Sequence, residues 1–251
     1  MKYIFILLAF CSCNAATNRS RTLAVSTQPL DTIKVAPTNV VASPQIFESV
    51  FTPAGTQTVK DQTVNVYGIT MGNLKISSGY IVACDPGHID EYGIPFTQRF
   101  PTGEFPVQLA VTKLGLDETI AFARIKFNEE PVAKWEFALQ EGQVPIPVGG
   151  KEIYGYSVDL GVGIFIDKDA SIAIDKTNLT NLDDTVYKKM NNNYRNDWRF
   201  SMHEFGQHNL AVFSSGFGDG RYATYIGFDA AGKPCRLLTD FAFFPWKEEK
   251  L

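Results

Sequence analysis

Five aspartates stand at the ends of apolar runs or beside glycines: Asp85, Asp159, Asp167, Asp219 and Asp229. Strand ends and turns are where side chains from distant segments converge, and where a rigid scaffold presents chemistry. Asp219 is the sharpest of the five, because Gly218-Asp219-Gly220 lets the backbone approach a ligand closely while a tight loop holds the carboxylate. Paired with Asp159 or Asp85, it has the makings of a hard-cation site or of an acid/base pair for hydrolysis. The competing reading is a hairpin turn in which the aspartate bonds its own backbone. For Asp159 and Asp167, Val-Asp-Leu-Gly-Val-Gly also reads as a bulge between strands.

Other chemistry finds less support. His203 and His208 flank Glu204-Phe205-Gly206-Gln207, but zinc proteases space their histidines four apart on one helical face. A spacing of five turns the second ring off that face, and Gly206 weakens a helix. His88 is the third histidine, so there is no rich ligand set and no metal is expected at the histidines. Neither a Gly-x-Ser-x-Gly elbow nor a phosphate-cradling glycine loop occurs, and the sequence identifies no cofactor. Cys84 and Cys235 either pair across a loop of about 150 residues, stabilising by a few kcal/mol, or remain two buried thiols. Cys84 as a nucleophile is the weaker alternative. Trp135, Trp198 and Trp246 read as core, with an exposed aromatic face as the rival.

The elements that must position these residues read as strands. Apolar runs at 64–69, 74–84, 105–111, 120–127, 132–139, 153–158, 163–167, 210–214, 222–228 and 237–244 are punctuated by Gly and Pro. Helical signal is thinner: residues 183–190 carry acids in the first turn and lysines in the last, and 169–182 offer a second short helix. The expected fold is mainly β (α+β), with antiparallel sheets in a sandwich- or barrel-like layer arrangement and one or two short helices.

The N-terminus carries an address. Lys2, an apolar run over 3–10 and then Cys11-Ser12-Cys13-Asn14-Ala15 match the charged, apolar and small-residue regions of an export signal over residues 1–15. The apolar run falls short of the ~20 residues that span a bilayer. Cys13, with small Ser12 before it, is the expected lipidation site, and Cys11 the alternative, since Cys11 places bulky Phe10 at the cleavage point. Cleavage after Ala15 or a buried N-terminal strand are the other readings. Residues 16–44, rich in Thr, Ser, Asn, Ala and Pro, read as a flexible tether, and 45–251 as a single β-rich domain.

The formal charge of −4 becomes −5 once the segment bearing Lys2 is removed. A mildly acidic chain without a basic block argues against nucleic acid. These features lead to an exported, membrane-anchored binding protein that captures another protein, as an inhibitor or immunity factor. The alternative is a metal-dependent or carboxylate-based hydrolase using Asp219 with Asp159 or Asp85.

Three stretches resemble a bacterial domain family of unknown function. They are Ser78–Pro86 continued by Pro95-Phe96 and 101–107, then Tyr156–Asp167, then Ser215-Gly216-Phe217-Gly218-Asp219-Gly220-Arg221-Tyr222 with Tyr225–Asp229 and 238–241. The likeness spans about residues 65–243 and departs at Leu160, where the family often has a small residue. It implies no particular activity, because the family has no established chemistry.

Overall fold

A computed structural model describes residues 44–59, 62–175 and 182–247. Helix α1 (Ile46–Ser49) and strand β1 (Gly55–Val59) come first, followed by β2 (Gln62–Ile76) and β3 (Ile81–Cys84). The apolar run that reads as one strand over 74–84 is therefore two, broken at Ser77-Ser78-Gly79. A short 3-10 turn (Pro86–His88) and α2 (Ile89–Tyr92) lead to β4 (Gly103–Leu114), β5 (Asp117–Lys126), β6 (Lys134–Phe137), β7 (Gly155–Val158) and β8 (Val162–Asp167). Then come α3 (Lys168–Asp175), α4 (Leu182–Asn191), β9 (Phe200–Phe205), β10 (His208–Ser214), β11 (Gly220–Phe228) and β12 (Pro234–Asp240).

The fold is mainly β, with antiparallel pairing and few short helices, as the strand pattern implies. A large sheet runs β1-β2-β4-β5-β12-β11-β6, with β7 also pairing β11; a small sheet runs β3-β8-β10-β9. Register shifts at Thr70/Gly72, Ala110/Val111 and Gly227/Phe228 bend the large sheet, which curls into a half-barrel.

Burial on both faces sets the sequence pattern. Ile81, Ala83, Phe165, Ala211 and Phe213 of the small sheet meet Leu109, Val111, Ile120, Ile125 and Leu237 of the large sheet in the central core. The alternating residues Val82, Cys84, Ile164, Ile166, Leu210 and Val212 face the other way, onto Ile174, Val186 and Met190 of α3 and α4. This is why β3 and β8 read as unbroken apolar runs instead of alternating. The far face of the large sheet, through Phe122, Tyr225 and Leu238, is covered by Phe47, Val148 and Phe244. Burying a Phe or Leu side chain in such layers contributes ~1.5–3 kcal/mol.

Several elements lay below the sequence signal, the four-residue α2 among them. Strand β1 is short and polar, α1 is four residues long, and β9 joins β10 in a hairpin turned at Gly206, whose φ is +55°. His203 and His208 therefore lie on facing strands of a hairpin, not on one helix.

Candidate binding cleft

The chain passes between the two sheets at 159–161 and again at 215–219, and these crossovers touch: Ser215 donates its backbone N–H to the Gly161 carbonyl at 3.0 Å. Beside them lies a cavity of about 670 Å³, within the range of small-ligand and side-chain pockets. The β4–β5 hairpin supplies Leu114, Asp117 and Glu118; the crossovers supply Leu160 and Phe217; Phe243 closes one wall.

The apolar part of the cleft faces outward. Phe217 is 76% exposed, Tyr194 57% and Leu160 47%. Phe217 stacks on Phe243 at 5.5 Å with an interplanar angle of 21°. Its loop is set by glycines: Gly216 has φ +52°, and a Cβ there would come within 2.7 Å of the Phe241 Cβ. The Tyr222 hydroxyl donates to the Gly218 carbonyl at 2.8 Å, and Thr119 Oγ1 donates to the Gly216 carbonyl at 2.7 Å. Phe217 is thus an exposed ring on a well-tied loop, at a site where ligand contact costs little ordering entropy.

At the cleft floor stands Glu118, whose side chain is 9% exposed. Its Oε2 accepts from Tyr67 Oη at 2.9 Å and from Trp198 Nε1 at 3.1 Å, while Oε1 faces Lys113 Nζ at 3.5 Å. Burial pushes this carboxyl upward, but the Trp198 and Tyr67 hydrogen bonds and the Lys113 charge outweigh it and hold it below the usual range. Burial and the bond to Glu118 push the Tyr67 phenol up to about 12. Trp198 arrives through a tight turn closed by Arg195 N–H to Trp198 O at 2.8 Å and Trp198 N–H to Arg195 O at 2.9 Å. Both central residues, Asn196 and Asp197, have positive φ, a backbone form that twists with the strands and that Asn and Asp adopt most cheaply after glycine.

The aspartates fall into two groups. Asp85, 1% exposed, accepts from the backbone N–H of Gly87, Asp159 and Leu160 at 2.8, 2.9 and 3.0 Å, stapling the end of β3 to the first crossover. Asp167, fully buried, accepts from both N–H and Oγ of Ser77 and Ser78 and from the N–H of Asp169, so it holds the break between β2 and β3 and caps α3. Asp229 accepts from the N–H of Ala231 and Lys233 in the β11–β12 turn.

Asp159 and Asp219 are the outward-facing pair. Asp159 has a 69% exposed side chain whose Oδ2 lies 3.4 Å from His88 Nε2. Val158 pairs with Gly220, so Asp159 and Asp219 leave the same end of the β7–β11 ladder, beside the cleft. No group of three or more His, Cys, Asp or Glu among the described residues is placed to hold a metal.

Cys84 and Cys235 are both free, buried thiols, Cys84 in the small sheet and Cys235 in the large. Burial pushes both thiols upward, and Cys235 Sγ donates to the Gly227 carbonyl at 3.3 Å. Trp135 and Trp198 are buried, and Trp246 donates its indole N–H to buried Asp240 at 2.7 Å, so the three tryptophans serve the core. Cys11 and Cys13, with the rest of the expected signal and tether up to residue 43, lie outside the described residues. No helix among the described residues is long and apolar enough to cross a membrane.

Glu118, Tyr67 and the exposed ring of Phe217 are the site residues that sequence reasoning did not single out. For Phe217 a signal existed: a large apolar side chain between two glycines in the third family-like stretch is poorly placed for a core. No curated protein and no solved structure matches the chain. Residues 74–239 match the family described as protein of unknown function (DUF4241), which takes in both crossovers and most of the cleft, and the chain belongs to that family.

Proposed function

We propose that the protein is a non-catalytic binding protein, exported and held at the cell envelope by an acylated Cys13, that captures another protein at this cleft. The observation that carries the reading is the exposed Phe217–Leu160–Tyr194 rim around a floor whose carboxylate already serves two internal donors. Exposed aromatics framing a pocket are the kind of anchor that concentrates binding energy. Asp117, Glu118 and Asp197 against Arg199 leave the lining net acidic, and Arg199 also bonds Asn191. The matching partner segment therefore carries an apolar side chain flanked by Lys or Arg. An inhibitor or immunity role fits such a capture site.

The test is affinity capture with residues 16–251 from an envelope extract, read by intact-complex mass spectrometry, alongside Leu160→Asp. A stoichiometric partner held by the unmodified chain and lost with Leu160→Asp supports the reading. A partner held equally by both removes the cleft from it.

The second reading is a carboxylate-based hydrolase. What favours it is the shared ladder end of Asp159 and Asp219, with His88 3.4 Å from Asp159. On that reading Asp219→Asn leaves folding intact and abolishes hydrolysis, and a variant that only unfolds the domain counts against it.

A further inference from the structure

On the far face of the large sheet, two arginines share one carboxylate. Arg124 on β5 and Arg236 on β12 have side chains 6% and 4% exposed. Leu238 pairs with Arg124 and Arg236 with Lys126, which sets the two guanidiniums diagonally on one face of adjacent strands. Arg124 Nη1 donates to Glu48 Oε1 at 2.8 Å. Arg236 Nε donates to Oε1 and Oε2 at 3.2 and 3.3 Å, and its Nη2 to Oε2 at 3.3 Å.

The sheet builds this cradle, and α1 merely fills it. Gln108 Oε1 accepts from Arg124 Nε at 2.9 Å, and the carbonyls of Asn128 and Cys235 each accept from Arg236 Nη1 at 2.8 Å, so both forks are aimed by groups outside α1. Glu48, by contrast, is 36% exposed and sits on a four-residue helix with no side-chain cap. Burial and the neighbouring Arg236 pull the Arg124 guanidinium down to about 10 even with Glu48 beside it. Among the described residues Glu48 is the one carboxylate bonded to either arginine; Glu129, the ion-pair partner of Lys126, acts on both only through space.

Next to the cradle is an aromatic slot. Phe47 is fully buried between Phe122, Trp135, Tyr225 and Trp246, with ring centroids at 4.8–5.5 Å. An apolar slot beside a paired-guanidinium fork recognises an aromatic residue followed by an acid. We propose that Arg124, Arg236 and the Phe47 slot form a peptide-binding site for an aromatic–glutamate segment, which the chain's own Phe47-Glu48 fills in cis and an acidic segment of another protein fills in trans. This site is on the opposite face of the sheet from the central core and shares no lining residue with the cleft.

The probe is a fluorescent peptide with the sequence of residues 44–54, titrated into residues 16–251 carrying Phe47→Ala and Glu48→Ala. It should bind that variant at least about ten-fold more tightly than the unmodified chain, and lose about ten-fold when its glutamate is replaced by glutamine. Equal binding of the two peptides, or none to a folded variant, overturns the proposal. Should the variant not fold, hydrogen exchange on the unmodified chain decides. Excess glutamate peptide should speed exchange of the Phe47, Glu48 and Ser49 amides and the glutamine peptide should not; no change with either contradicts the proposal.

Discussion

Trp198 donates its indole N–H to Glu118 across 3.1 Å, joining the turn before β9 to the start of β5 beneath the cleft. The bond makes Glu118 a floor strut and not a free acid. Trp198 is 1% exposed, so removing the carboxylate leaves its N–H without a protein acceptor.

Replacing Glu118 by Ala should therefore cost about 2–3 kcal/mol in urea unfolding, and Glu118→Gln about 1 kcal/mol, because an amide oxygen still accepts but the Lys113 charge pair is lost. The sign of the pH dependence follows from the depressed folded-state carboxyl. Its stabilisation is fully present above the unfolded value of about 4.3 and is lost as pH falls through the lower folded value. The gap between wild type and Glu118→Gln should thus be constant above about pH 6 and shrink on acidification towards pH 3. A gap that widens on acidification contradicts this account.

Asp85 and Asp219 should separate cleanly. Asp85→Ala strands three backbone N–H groups and should cost about 3 kcal/mol or more, seen as a lowered urea midpoint. Asp219→Asn lies on an exposed turn and should change stability by no more than about 0.5 kcal/mol. Equal effects of the two changes would contradict the division between staple and surface.

His203 gives a second titration with a local readout. Burial first, and then Lys189, whose Nζ lies 3.2 Å from His203 Nδ1, lower its pKa against the smaller opposing pull of Glu204. A histidine depressed in this way favours folding fully above the unfolded value of about 6.5 and loses that contribution as pH falls through its folded value. Lys189→Met should raise the His203 pKa in an NMR titration. An unmoved titration curve excludes Lys189 as a cause.

The proposed anchor is tested by acyl labelling. Cys13→Ala should abolish incorporation of a labelled fatty acid and release the protein from membranes, whereas Cys11→Ala should do neither. Labelling that follows Cys11 instead reassigns the site, and none on either removes the anchor.

Much of the fold was legible because double-sided burial leaves its mark in sequence: the unbroken apolar runs of β3 and β8 carry it directly. The break at Ser77-Ser78-Gly79 was not, since Asp167, which fixes it, lies about 90 residues away in the chain. The cleft shows the same limit. Glu118 takes its role from Tyr67 and Trp198, 51 and 80 residues distant, and no local pattern announces such a meeting. Asp159 and Asp219 were legible as turn carboxylates, but their common position depended on the β7–β11 register. Phe47 and Glu48 escaped notice because a four-residue helix has no periodicity to read.

The most direct test of the central claim is the affinity of the captured partner for wild type, Phe217→Asp and Lys233→Glu, measured by calorimetry. Lys233 lies in the turn at the opposite end of β11 from the cleft and serves as the control. The account predicts at least about a ten-fold loss for Phe217→Asp with folding unchanged, and no loss for Lys233→Glu. Undiminished affinity of a folded Phe217→Asp would contradict it.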